Sequence, residues 1–357
     1  MEESREGLDW RDDLMPLVRR FCVLLHVVAW TGMGVVPLVA QSELSLVGTG
    51  SNVPRPLYAL WAAQYEKLKG NVHVKYLPLG TSESIREISE GSGDFGGGEI
   101  PLSDAQMHGG KHPLLQFPTV LVAIVPIYKL PGEPKVRFSG ELLADIFLGK
   151  IKNWKDARIA KLNPGVELPD LSIEVVHRGA GKGSNYILTD FLSKTSAEWK
   201  SKIGKSASPS WPVGVETNRG EDMVEKVSVT PGAIGYVELN YARRDDIGYG
   251  SVQNESGQFV AATPASIAAA CTAEEKNIRA DFGVSLTNAP GKESYPVASF
   301  TWIYLATSGL TPARSQGLKE FWNWALTDGR ETASSLGYTV LPAGITTKVR
   351  ETLNSIH

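Results

Sequence analysis

Leu44-Ser45-Leu46-Val47-Gly48-Thr49-Gly50-Ser51-Asn52-Val53-Pro54 passes from an apolar, strand-like run through two glycines into the start of a helix-like stretch. The same change recurs at Gly80-Thr81-Ser82, after the apolar run 72–77. It recurs again at Arg178-Gly179-Ala180-Gly181-Lys182-Gly183-Ser184-Asn185, after the run 173–176. A helix start offers free backbone N–H groups and a partial positive charge. Glycine lets the backbone approach a ligand, and Ser or Thr adds a hydroxyl donor, so each segment has the chemistry to grip a small oxyanion. Arg178 follows a strand and opens a Gly-rich helix start, where a two-pronged grip on an oxyanion is geometrically natural.

Outward from these segments the chain alternates short apolar runs with helical patterns. Residues 44–47, 72–77, 119–128, 173–176, 232–238 and 300–305 read as strands. Residues 54–68, 82–90, 140–149, 184–194, 318–326 and 349–356 read as helices, the first carrying Leu57, Leu60, Trp61 and Leu68 on one stripe. Asn52 is placed to cap that helix and Pro54 suits an early helical position. Residues 94–104 read as a Gly-rich loop. This grammar predicts an α/β protein with largely parallel sheets. The apolar runs 119–126 and 299–306 are candidate crossovers between two lobes.

The 357 residues fit two domains or lobes, and a hydrophobic fraction of 42% with 21% charged residues is that of a globular chain. A formal net charge of −3 supplies no basic field for nucleic acid. Arg19-Arg20 followed by the uncharged stretch 21–40, ending Pro37-Leu38-Val39-Ala40-Gln41-Ser42, has the layout of a secretory signal over residues 1–41. Met15 would give an ordinary basic n-region if it were the start. The rival reading is an uncleaved membrane anchor; Gly32, Gly34 and Pro37 favour cleavage. Export would leave Cys271 as the one cysteine, with no internal disulfide and an extracytoplasmic or periplasmic setting.

Other motifs fail on spacing. Gly181-Lys182 would need a glycine at Val176 to complete a P-loop. Asp94-Phe95-Gly96 has no accompanying kinase catalytic loop, and no G-x-S-x-G elbow exists. The histidines show no metal-ligand spacing, so neither metal nor cofactor is expected. His177, beside Arg178, is read as a packed strand-end residue rather than a base.

Six ordered stretches resemble the phosphate-binding proteins of bacterial phosphate ABC transporters, the PstS type. Gly48 to Tyr58 resembles G-A-G-A-T-F-P-x-P-x-Y, and Gly93 to Leu102 resembles D-F-G-A-S-D-x-P-L. Ile151-Lys152-Asn153-Trp154 and Ala160 to Gly165 resemble I-x-x-W and I-A-x-L-N-P-G. Arg178 to Phe191 resembles R-x-D-G-S-G-T-x-x-x-F-T-x-Y, and Pro231 to Glu238 matches P-G-A-I-G-Y-V-E. The resemblance implies a two-lobe periplasmic binding protein of type II, each lobe a mixed sheet flanked by helices, joined by two crossover strands. Lobe 1 would hold residues 42–123 and 300–357, and lobe 2 residues 124–299. It further implies a monomer that captures inorganic phosphate between the lobes, delivers it to a membrane permease and catalyses nothing.

Carried over residue by residue, the ligand set is Ser51, Asn52 and Val53 at the first helix start, with Thr81 at the second. Arg178, Gly183 and Ser184 come from the third. Glu99 stands where the family pattern has its proton-accepting Asp, and Lys182 where it has a Ser. Asn52 and Val53 replace a Thr and a Phe. Lys182 is expected to pair with Glu99 or to reach the ligand itself, since an unpaired charge in a closed cleft is costly. Sulfate, arsenate or an organic phosphate as ligand, and a phosphate-linked hydrolase or sensor, remain the rival readings.

Overall fold

The computed structural model describes residues 43–354 and 356; the expected signal, residues 1–41, lies outside them. The first strands and helices are β1 (Leu44–Gly50), α1 (Arg55–Lys69), β2 (Val72–Leu77), α2 (Thr81–Ser89), β3 (Phe95–Gly98), α3 (Asp104–His108) and β4 (Leu114–Tyr128). Next come β5 (Arg137–Phe138), α4 (Gly140–Phe147), α5 (Ala157–Leu162), β6 (Glu174–Arg178), α6 (Gly183–Thr195), α7 (Ala197–Lys202) and β7 (Val215–Thr217). Then follow α8 (Gly220–Val229), β8 (Ala233–Glu238), α9 (Leu239–Arg244), β9 (Ser251–Gln253), β10 (Phe259–Val260) and α10 (Pro264–Glu274). The chain ends with β11 (Ala298–Ala306), α11 (Pro312–Leu326), α12 (Arg330–Ser335), β12 (Thr339–Val340) and α13 (Ala343–Asn354).

The main sheet runs β2-β1-β3-β11-β4-β8-β6-β7, with β12 also on β4, and a small sheet runs β10-β9-β5. Its two halves share only β4. That strand pairs with β11 up to Ala123, opposite Ala298, and with β8 from Ile124, opposite Glu238. Within each half the βα units give parallel pairs, β1 with β2 and β3, and β6 with β7 and β8. The returning strands β4 and β11 run antiparallel to their neighbours, so the sheets are mixed rather than largely parallel.

Helix α1 shows why the pattern builds this layer. Leu57, Tyr58, Trp61, Ala62 and Tyr65 form its buried face, and Gly70 (φ 74°) stops it with its N–H on the Glu66 carbonyl. The stripe expected through Leu60 and Leu68 is wrong: they are 38% and 61% exposed. The buried stripe instead advances through the aromatic residues: Tyr65 packs on Phe321, and Tyr58 and Trp61 pack on Trp322. That ring meets Tyr58, Phe95 and Phe321 edge-on, with centroids 5.3, 5.2 and 4.8 Å away. Asn52 is not the cap either. Pro54 occupies the cap position with no side-chain cap bond, and Asn52 serves through its carbonyl, which accepts from the Arg55 N–H at 3.3 Å.

The expected loop 94–104 contains a fully buried strand, β3. Its glycines mark close approach rather than freedom. A methyl on Gly98 would sit 2.3 Å from Thr81 Cγ2, so only glycine lets β3 lie against the start of α2. Much of the chain from 203 to 297 carries elements that the periodicity did not single out, among them α8 and α10.

Gly48 gives the core a measurable test. A Cβ there would lie 2.1 Å from the Phe95 ring, which is stacked on Tyr76 and edge-on to Trp322. Gly48→Ala is expected to destabilise the protein by about 1–3 kcal/mol through overpacking. Urea unfolding reads this; a loss under about 0.5 kcal/mol would mean that the ring gives way freely.

Candidate anion-binding site

The three glycine-marked helix starts converge beside Glu99. The first is fixed by backbone: Ser51 N–H donates to the Gly97 carbonyl at 2.9 Å, and Tyr76 Oη donates to the Ser51 carbonyl at 2.9 Å. Tyr338 Oη holds the Val53 carbonyl at 2.6 Å. The Val53 N–H donates to Ser51 Oγ at 3.1 Å. The second start hangs on the first, because Gly80 N–H donates to the Gly50 carbonyl at 2.7 Å. Ser84 Oγ reinforces this by donating to the Thr49 carbonyl at 2.8 Å.

The third start follows β6. Asn185 organises it, donating through Nδ2 to the carbonyls of Gly179 at 2.8 Å and Ala207 at 3.0 Å, while its Oδ1 accepts from Tyr236 Oη. The Arg178 N–H donates to the Tyr236 hydroxyl at 3.0 Å. One bond, Ser82 N–H to the Gly181 carbonyl at 3.3 Å, ties the second start directly to the third.

Glu99 follows β3 and is wholly buried. Thr81 Oγ1 donates to its Oε2 at 3.1 Å and Thr301 Oγ1 to its Oε1 at 3.5 Å, with the Ser51 hydroxyl a further partner. Gly183 at the start of α6 lies against the same carboxyl: a Cβ there would be 2.0 Å from Glu99 Oε2 and 2.9 Å from Thr81 Oγ1. The absence of a side chain at Gly183 is thus a condition of the site's closing. Burial lifts the Glu99 carboxyl to about 8, against the pull of the surrounding hydroxyls.

Arg178 ends β6 and is 2% exposed. Its Nη2 donates to the Asn218 carbonyl at 2.9 Å, but Nε and Nη1 are buried with no acceptor. A buried donor without a partner is costly, and two on one guanidinium call for a ligand that accepts both. The pattern this segment resembles has an Asp two residues after its Arg; here that position is Ala180, and Arg178 makes no ion pair among the described residues.

The expected Glu99–Lys182 pair is not formed. Lys182 occupies the cap position of α6, and its backbone N–H donates to the Ala207 carbonyl at 3.2 Å. Its Nζ lies toward Gly80, 3.9 Å from where a Cβ on that residue would stand. Partial burial and the nearby Arg178 charge lower its pKa. A half-buried ammonium at the rim keeps some water, whereas contact with Glu99 would require full desolvation. Ser184 is buried at the start of α6, and Asn52 is partly exposed. His177 stacks on Trp211 with ring centroids 5.1 Å apart, a packing contact.

Glu238 closes the stretch Pro231 to Glu238, yet no local motif marks it as a site residue. Glu238 is 2% exposed and neither carboxyl oxygen has a partner. The available signal was an acid closing an otherwise apolar strand. Thr301 and Tyr338, which hold Glu99 and Val53, lie on late segments without any local motif.

This arrangement is that of a two-lobe binding protein with its site between two α/β halves, and residues 37–329 match the model of the PBP superfamily domain. The chain belongs to the PstS family of phosphate-binding proteins. It is 38% identical over 315 residues to a phosphate-binding protein PstS of Pasteurella multocida, covering 88% of this chain and 90% of that one. A Haemophilus influenzae PstS is 36% identical over 320 residues, covering 89% and 94%. Among solved structures, a phosphate ABC transporter substrate-binding protein from Clostridium perfringens with bound phosphate aligns with a TM-score of 0.61. That alignment has 20% identity and covers 84% of this chain and all of that one. It supports the type II periplasmic binding-protein fold, with a mixed sheet flanked by helices in each lobe.

The buried acid makes stability depend on pH. The folded protein holds the Glu99 proton up to about pH 8, whereas a free glutamate releases its proton near 4.5. Its contribution is therefore complete below about pH 4.5 and is lost as pH rises through about 8. The melting temperature of the ligand-free protein is expected to fall more steeply from about pH 5 to about pH 8 than that of Glu99→Gln. Parallel curves would show that Glu99 titrates normally.

Proposed function

We propose that this protein is an extracytoplasmic solute receptor that captures inorganic phosphate between its lobes and delivers it to the membrane permease of an ABC transporter. The observation that carries the reading is Arg178, a buried guanidinium with Nε and Nη1 unanswered beside three converging helix starts. Phosphate has the size, charge and acceptor count to answer it. The names of the PstS relatives, phosphate-binding proteins, support the choice of anion.

In this reading residues 42–123 with 300–357 form one lobe and 124–299 the other. The hinge lies where β4 changes partner at Ala123 and Ile124, and closure is driven by the bound anion. Arg178 supplies charge-assisted bonds. Ser51, Asn52, Val53, Thr81, Gly183 and Ser184 supply hydroxyl and backbone donors. Glu99, once ionised, accepts the ligand's proton, and Lys182 adds positive charge at the rim. No catalysis is assigned to the site. Among the described residues no helix is long and apolar enough to cross a membrane. Export is argued from the sequence of residues 1–41.

Calorimetric titration of the signal-free chain tests the reading, after partial unfolding and refolding to strip carried-over anion. Phosphate is expected to bind and sulfate not to bind. Arg178→Met should weaken phosphate by about 2–5 kcal/mol, roughly 30- to 5,000-fold. Comparable binding of sulfate would transfer the reading to a general oxyanion receptor, and binding of neither would overturn it. Hydrolysis of a phosphomonoester, with or without added divalent metal, would favour the enzyme instead.

A further inference from the structure

Glu238 is the buried charged group that the phosphate reading leaves without a task. It ends β8, directly opposite Ile124, at the point where β4 passes from one half of the sheet to the other. Both carboxyl oxygens are sealed from water, and among the described residues no other residue donates to them; the residue's own backbone N–H is the one donor that acts on the carboxyl. Arg178, on the neighbouring strand β6, is near enough for its charge to act on Glu238, yet no ion pair joins them. A guanidinium with two buried donors unanswered and a buried carboxyl thus stand on neighbouring strands without meeting.

The groups facing Glu238 are few. Arg178 comes from β6, Glu221 from α8 and Glu99 from the loop after β3. Tyr236 precedes it on β8, Tyr241 lies on α9, and Tyr338 stands before β12. Arg178 is the one cation in this set, and the segment of β4 opposite contributes only aliphatic residues at Ile124 and Val125. An ionised Glu238 beside a bound anion would set two negative groups against the single positive charge of Arg178. That is prohibitive for desolvated charges. A neutral carboxyl has no such cost and adds an O–H donor to the floor.

We propose that Glu238 is the internal counter-charge of Arg178 while the cleft is open and hydrated, and that it takes up a proton when the cleft closes on the anion. The inference rests on the phosphate reading and deepens it: the site binds its anion together with a proton at Glu238. In the uptake step the carboxylate of Glu238 becomes a carboxylic acid, the proton coming from solvent. The anion then replaces Glu238 as the charge that answers Arg178. Burial, opposed by Arg178, raises the Glu238 pKa in the closed form, in keeping with a group that closure neutralises.

Infrared difference spectroscopy on the signal-free protein, with and without inorganic phosphate, tests this. Phosphate is expected to produce a protonated-carboxyl band that shifts in heavy water. The band should be absent in Glu238→Gln and present in Glu99→Gln. Phosphate affinity of the wild type, corrected for the ligand's own ionisation, should fall up to about tenfold per pH unit above neutrality. Glu238→Gln should remove most of that slope. Wild-type protein that binds phosphate without a new band overturns the proton uptake and leaves the phosphate reading intact, whether or not the variant folds. A band and slope that persist in Glu238→Gln assign the proton elsewhere and equally overturn it. Failure of the wild type to bind phosphate defeats both.

Discussion

Taking an arginine out of water with two of its N–H directions unanswered costs several kcal/mol, and no protein group answers them here. Arg178 is nevertheless held rigidly. Its N–H is on Tyr236 and its Nη2 on the Asn218 carbonyl, and its own carbonyl accepts from the Trp211 indole at 3.2 Å. The surrounding framework over-determines this position. Trp211 packs on Phe147, Trp199, Tyr236 and His177, so the aromatic core of the second half of the sheet doubles as the mount for the guanidinium. Under the proposed function the cost is recovered when an anion arrives, which ties the stability of the closed form to ligand.

The opposing wall works by subtraction. Where Arg178 needs bulk behind it, Glu99 and Thr81 need none in front. Gly98 admits Thr81, and Gly183 admits Glu99. Each is a point where backbone from one segment touches a functional side chain from another, so added volume acts on the ligand geometry before it acts on the core. Ser51 makes the same economy with hydrogen bonds: its hydroxyl accepts from Val53 and partners Glu99, fixing the first helix start and the acid together.

Legibility in the sequence followed the range of the physics. Strand-to-helix turns are local, so the runs before Ser51, Thr81 and Arg178 could be read from apolar runs and glycines, although the strands at Leu44–Gly50 and Glu174–Arg178 extend past the expected ends at 47 and 176. β3 could not, because Phe95–Gly98 is a strand only by virtue of β1 and β11 on either side. The stripe on α1 was misassigned for a related reason. Leu60 and Leu68 are apolar, but Tyr58 and Tyr65 are the residues that meet Trp322 and Phe321. Thr301 and Tyr338 reach the site from the far end of the chain, a relation that no local pattern encodes. Glu238 was visible in the letters and silent in meaning, since only three-dimensional burial distinguishes an unpartnered carboxyl from a solvated one.

The placement of charge then explains the departures at Glu99 and Lys182. A cation sunk beside Arg178 would double the positive charge in a space without water, and Glu99 could offset it only by giving up its proton. The structure avoids both conditions. Glu99 stays in the company of hydroxyls that tolerate either protonation state, and Lys182 stays at the rim near Gly80, with the negative charge of Glu216 acting on it. At that distance the ammonium adds to the field an approaching anion feels without entering the closed cavity's charge balance. Under the proposed function, attraction and discrimination fall to different depths of one cleft: lysine at the mouth, arginine and two protonatable acids on the floor.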